Sequence, residues 1–132
     1  MRSLFNENTW PAPNFSKEEL SCSCCGETEM DYNFLKKLQD LRSDYGAPMI
    51  ITSAYRCDHH PIEIKKKLPG SHNQGKAVDV LVSRSDAYRL LSLALQHGFE
   101  GIGIAQKGYN NIRFIHLDYG AEHKSRPNLW SY

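Results

Sequence analysis

The run Ala77-Val78-Asp79-Val80-Leu81 puts a carboxylate in the middle of a segment otherwise suited only to a buried strand. Burying a charge without a partner is expensive. Any fold for this chain must therefore seat that strand and bring a cation to Asp79, either a metal ion or an arginine.

Size and composition bound what can do this. A chain of 132 residues is one domain on ordinary size priors. Apolar residues make up 40% and charged residues 23%, which is globular rather than disordered. The formal charge of +1, with no basic stripe, argues against a nucleic-acid binder. No run approaches the roughly 20 apolar residues of a membrane span, so no membrane insertion is expected. Met1 to Pro13 is polar and proline-broken, with no apolar core of a secretory signal. The expectation is a monomer made in the cytoplasm without a signal peptide.

Residues 1–14 read as an N-terminal arm, since Pro11 and Pro13 block regular structure. In Phe15 to Leu20, Ser16 and Glu19 have capping-box spacing around a short helical turn. Asp31 can cap a longer helix in which Phe34, Leu35, Leu38, Leu41 and Tyr45 form one apolar stripe, ended by Gly46 and Pro48. Met49 to Ser53 reads as a strand. Residues 56–76 are polar, contain Pro61, Pro69 and Gly70, and read as a long functional loop. Ala77 to Val82 is a strand. Ser85 or Asp86 starts a second helix carrying Ala87, Leu90, Leu91, Ala94 and Leu95, closed by Gly98. Gly101 to Ile104 and Ile112 to Leu117 are strands joined by a turn at Gly108 to Asn111. The order predicts an α+β domain with a small antiparallel sheet packed against helices.

Two histidines stand near Asp79 in this scheme. His72 lies seven residues upstream, with Gly75 between them allowing a sharp backbone turn. His116 sits in Phe114-Ile115-His116-Leu117-Asp118, where alternation puts it on one face with Phe114 and Asp118. If the two strands are neighbours, His72, Asp79 and His116 converge. Two imidazoles and a carboxylate, with water in the fourth position, make an open zinc site. The competing reading is of core histidines satisfied by hydrogen bonds.

The four cysteines stay ambiguous. Cys22, Cys24 and Cys25 are clustered and Cys57 lies far downstream. A bridge to Cys57, free buried thiols and a cysteine-bound metal are all open. The only two-residue spacing, Cys22 to Cys25, is interrupted by Cys24.

His72, Gly75, Ala77 and Asp79, followed by Phe114 to Asp118, resemble the H-x-x-G-x-A-x-D and F-[IV]-H-x-D signatures of the zinc D-Ala-D-Ala carboxypeptidase family. That family also contains peptidoglycan endopeptidases and phage endolysins. Thr52 to Cys57 is similar to its T-S-G-Y-R-C turn, with Ala54 in place of Gly. Phe15 to Cys24 is like the F-x-x-x-E-[FL]-x-C-x-C opening of one subgroup, and Gly101 to Ile104 and Arg126 to Trp130 complete the likeness. The family often has Ser two residues before the first His; here that position is Gly70, with Ser71 adjacent.

The resemblance implies a hedgehog/D-Ala-D-Ala-peptidase-like catalytic domain over residues 15–132. It implies one catalytic Zn2+ held by His72, Asp79 and His116. It implies Arg56 as a catalytic, oxyanion-stabilising or substrate-binding group, which suits a planar fork of charged donors. Ser53, Tyr55, Ser71 and Trp130 are further substrate-binding candidates, and Tyr119 and Tyr132 are candidates for an aromatic groove wall. Several branches carry an acid three positions before the final His, where this chain has Arg113. Asp118 is then the catalytic candidate, either orienting His116 or holding and deprotonating water. His59, His60, Glu63, Glu122 and His123 are alternative bases. Lys65-Lys66-Lys67 reads as a solvated loop or a weak attraction to an anionic wall.

The expected activity is zinc-dependent hydrolysis of peptidoglycan stem peptides or cross-bridges by a phage or prophage lysin. It acts on the cell wall after release or as part of a virion. The alternatives are a non-catalytic zinc-binding wall or virion module, and a cysteine-centred metal or redox module.

Overall fold

A computed structural model describes residues 10–132. Helix α1 spans Tyr32–Tyr45. The Asp31 carboxylate accepts from the Phe34 N–H at 2.9 Å, and Gly46, at φ 69°, turns the chain out in the left-handed region. The stripe Phe34, Leu35, Leu38, Leu41 and Tyr45 is buried. Each such side chain contributes about 1.5–3 kcal/mol on burial, so packing rather than propensity holds α1 in place.

Helix α2 spans Arg84–Gln96 and begins one residue before the earlier of the two expected starts, with Ser83 as its cap. Ala87, Leu90 and Ala94 face the core, whereas Leu95 is exposed. At 100° per residue Leu95 lies about 140° from Leu90, off the stripe to which the sequence reading assigned it.

The strands are β1 (Ile50–Ser53), β2 (Ala77–Leu81), β3 (Gly101–Ala105), β4 (Phe114–Asp118) and β5 (Asn128–Ser131). They form one sheet in the order β1-β2-β4-β3-β5. The first three pairings are antiparallel, but β3 and β5 run parallel, with Gly103 opposite Trp130. The small, mostly antiparallel sheet packed against helices is the expected one, with parallel β5 as an added edge strand that the sequence does not announce. Asn110–Ile112 is a 3-10 turn, so β4 starts at Phe114 rather than Ile112.

Alternation divides the sheet into two faces. Val78, Val80, Ile102, Ile115 and Leu117 join the core with the helices. Asp79, His116 and Asp118 occupy the opposite face, and Asp79 and His116 are direct partners across the β2–β4 pair.

The long loop after β1 is well structured. It holds a 3-10 turn at Glu63–Lys65, and residues 70–76 are buried. Buried Glu63 accepts from the Gly70 N–H and from Lys66 Nζ. Gly75, at φ 71°, donates its N–H to the His72 carbonyl and accepts from the Asp31 N–H. A Cβ there would stand 2.1 Å from the Glu29 carbonyl oxygen, so the turn needs glycine for space as well as for its dihedral.

Of the expected arm, residues 1–9 lie outside the described residues. Ala12 is buried in the core, and the Trp10 indole N–H donates to the Ala12 and Phe15 carbonyls. Ser16 and Glu19 exchange both capping-box hydrogen bonds, at 2.9 and 3.1 Å, around turns rather than a helix. Among the described residues, no helix is long and apolar enough to cross a membrane.

Candidate metal centre

His72, Asp79 and His116 come together on the open face of the sheet, all buried, each offering one ligand atom within 4.8 Å of the others. Asp79 Oδ1 lies 3.2 Å from His72 Nε2 and 3.1 Å from His116 Nδ1. The buried turn at Gly75 delivers His72, while β2 and β4 deliver the other two.

The outer nitrogens of both rings are occupied. His72 Nδ1 lies 2.7 Å from the Ala54 carbonyl, which only accepts, so Nδ1 carries the proton. His116 Nε2 lies 2.6 Å from Asp118 Oδ2. With its proton on Nε2, a neutral His116 also turns a lone pair inward. Three lone-pair atoms then converge, and a cation between them relieves the repulsion. Tetrahedral edges built on metal–ligand bonds of about 2.0–2.1 Å are about 3.3 Å long. The two separations from Asp79 Oδ1 match that edge, and the donor set suits a borderline divalent ion with a free coordination position.

Asp118 supports this arrangement from behind. It is fully buried, and Arg126 grips it with Nε at 2.8 Å and Nη2 at 2.7 Å. Burial alone raises the Asp118 pKa, but the bonds from Arg126 and His116 outweigh that and lower it. The same balance, with bonds from His116 and His72, holds Asp79 well below the usual carboxylate range. Burial pulls His72 down. Burial also disfavours charge on His116, but hydrogen bonds to Asp118 and Asp79 and their charges win, so its pKa is raised.

Two glycines of β3 make room on this face. A Cβ on Gly101 would lie 2.2 Å from Asp118 Oδ1, and one on Gly103 would lie 2.5 Å from the Trp130 indole nitrogen. Glycines two apart in a strand mark a close approach. The glycine spacing is visible in the sequence, but the side chains it makes room for are set by the fold.

The centre opens into a cleft of about 380 Å³. Arg56, Lys66, Lys124 and Arg126 give it a cationic lining, and Ser71, Trp130 and Tyr132 add polar and aromatic walls. The Trp130 and His116 rings lie 5.1 Å apart. Arg56 Nη2 stands 3.6 Å from Asp79 Oδ2, and its Nε donates to Ser53 Oγ at 3.1 Å. Asp79 thus meets both an arginine and the paired imidazoles.

Other candidates sit elsewhere. Ser53 lies behind Arg56 and acts on the cleft only through it. Tyr55 is buried, donates its hydroxyl to Glu29 and does not line the cleft. Tyr119 packs beneath the Lys37 ammonium. Arg113 donates Nε to the Gly108 carbonyl and does not line the cleft. None of His59, His60, Glu63, Glu122 and His123 lines it either. Arg126 is the residue that sequence reasoning missed as a functional group. Its only signal is the cation that a buried Asp118 demands.

Fold and site define a class: a small α+β domain presenting a buried two-histidine, one-aspartate centre in a cleft, as metallopeptidases do. Comparison with known families makes this particular. Residues 13–118 match Peptidase M15, and the chain belongs to that family of zinc-dependent peptidases. No curated protein matches the chain.

Proposed function

We propose that this chain hydrolyses peptide bonds in peptidoglycan stem peptides or cross-bridges, as a zinc-dependent D,D-carboxypeptidase or endopeptidase. In this reading it is a phage or prophage lysin, works as a monomer, and meets the wall after release or as part of a virion. The observation that carries the reading is the convergence of His72 Nε2, His116 Nδ1 and Asp79 Oδ1 within a cationic cleft.

His72, Asp79 and His116 would hold one zinc ion. Bound there, zinc polarises a carbonyl and acidifies water. Arg56, steadied by Ser53, offers planar charged donors to an oxygen that turns anionic or to a substrate carboxylate. Lys66, Lys124 and Arg126 add positive potential suited to the carboxylates of a stem peptide. Trp130 and Tyr132 offer aromatic faces to a peptide or sugar. Asp118 is a positioning residue, since its oxygens are engaged by Arg126 and His116.

A second reading has an observation in its favour. Asp79 is the only carboxylate among the described residues that line the cleft, which leaves no separate carboxylate base there. A non-catalytic zinc-binding wall or virion module on the same fold accounts for that.

Purified peptidoglycan incubated with wild type and His116→Ala, with zinc content and product masses measured, separates the two. The peptidase reading expects defined stem peptides from wild type, and loss of one zinc equivalent and of all products in the variant. Wild type that holds a zinc equivalent lost in His116→Ala, yet releases nothing from walls of several chemotypes, establishes the binding module instead.

A further inference from the structure

The four cysteines take no part in the cleft, yet they are gathered in one place. The sulfurs of Cys22, Cys25 and Cys57 lie within 4.8 Å of one another, and all four thiols are free. They come from two segments far apart in the chain: the turn at residues 22–26 and the loop that follows β1.

The turn has the form of a metal-binding knuckle. The Gly26 N–H donates to the Cys22 carbonyl at 2.8 Å, and the Cys22 N–H donates to the Glu27 carbonyl at 2.8 Å. Gly26, at φ 74°, bends the chain back immediately after Cys25. This geometry aims the Cys24 N–H at Cys22 Sγ, 3.4 Å away. From the other segment the Cys57 N–H donates to the same sulfur, also at 3.4 Å. Cys24 does not break the two-residue spacing; its amide serves the turn.

Amide donors aimed at a sulfur favour thiolate over thiol. The Cys24 thiol is free and exposed at the edge of this cluster. With zinc–sulfur bonds of about 2.3 Å, tetrahedral sulfur–sulfur edges are about 3.8 Å, within small side-chain rotations of the observed cluster.

We propose that Cys22, Cys25 and Cys57 hold a second, structural zinc ion, with the Cys24 thiol completing the tetrahedron. The ligands bind as thiolates and release their protons to solvent. The ion clamps the opening segment onto the loop that builds the cleft. Beside it, the Tyr55 N–H donates to the Leu20 carbonyl at 3.2 Å. The clamped stretch holds Ala54, whose carbonyl sets the His72 tautomer, and Arg56, next to Cys57 in the chain. The ion thus stiffens one wall of the cleft without entering it.

Metal analysis of full-length protein purified under reducing conditions with zinc tests this. Wild type is expected to carry two zinc ions per chain, and Cys57→Ser and His116→Ala one each. Cobalt replacement gives a readout that does not depend on activity or on Cys57→Ser folding well. His116→Ala is expected to keep the sulfur-to-cobalt charge-transfer band and strong visible bands of a tetrahedral thiolate site. A mercurial thiol reagent is expected to release one metal equivalent from wild type. One zinc per chain, lost entirely in His116→Ala, overturns the proposal. So does a native mass short of two hydrogens, which reports a disulfide in the cluster. The first of these results leaves the zinc at the His72–Asp79–His116 centre, and the second does not bear on that centre.

Discussion

Arg126→Met removes the cation that balances the fully buried Asp118. The substitution keeps most of the side chain's apolar stem, so lost charge dominates over lost packing. Two charge-assisted hydrogen bonds disappear, at 2.8 and 2.7 Å. At about 1.5–3 kcal/mol each, they come to roughly 3–6 kcal/mol. Breaking one side of a buried ion pair costs about 3–5 kcal/mol by independent reckoning. We expect Arg126→Met to lose about 3–5 kcal/mol in urea unfolding of the metal-free protein. Asp118 also orients His116 through the 2.6 Å bond, so zinc affinity should fall about 10–100-fold. Asp118→Asn removes the buried charge, so adding Arg126→Met to it should cost far less than the same change in wild type. A loss within the about 0–1 kcal/mol typical of a surface pair, with zinc affinity unchanged, would refute the reasoning. So would strict additivity of the two substitutions, since contacting residues in one network must couple.

Gly101→Ala puts a methyl 2.2 Å from Asp118 Oδ1 and should destabilise by about 1–3 kcal/mol and weaken zinc binding, read by thermal melting and metal titration. Burial resists charge on His116 but Asp118 and Asp79 keep it protonated to a higher pH than usual, and a metal must displace the proton from Nδ1. Zinc affinity, by competition with a chelator, should therefore fall as pH is lowered, starting above the ordinary histidine value of about 6.5; a flat profile there contradicts the site. Arg113→Ala should leave zinc content and wall hydrolysis unchanged, because Arg113 reaches only the Gly108 carbonyl. Arg56→Lys should keep zinc but lower kcat by about 10²–10³-fold if its fork stabilises a developing oxyanion, and wild-type kcat in this variant removes Arg56 from that role.

Local physics made much of this fold legible. Asp31, the stripe from Phe34 to Tyr45, and Gly46 together define α1, because capping and periodicity act within a few turns. The Ser16–Glu19 reciprocal bonds and the left-handed Gly75 are likewise local. The strand β5 was not legible. It is short, mostly exposed and paired in parallel with β3 across a long connection, so neither alternation nor a hairpin turn announces it. Leu95 joined the wrong face because a long apolar residue near a helix end fits more than one stripe. Tyr55 was misplaced for a related reason: the motif that contains it puts Arg56 in the cleft, but successive side chains point different ways.

The sequence by itself determined that a carboxylate would lie in a buried strand and need a cation, and that two histidines stood ready if that strand and the one bearing His116 were neighbours. Those are statements about burial and alternation, which depend on residues close in the chain. Only the tertiary structure decided that β2 and β4 pair in the register that sets Asp79 opposite His116. It alone turned both ring protons outward, onto Ala54 and Asp118, and folded Arg126 back onto Asp118, eight residues earlier in the chain. Proton position and charge pairing are set by where the packed backbone points each partner, whether it lies two, eight or eighteen residues away. A buried charge declares its need locally, but only the packed fold decides which group meets it.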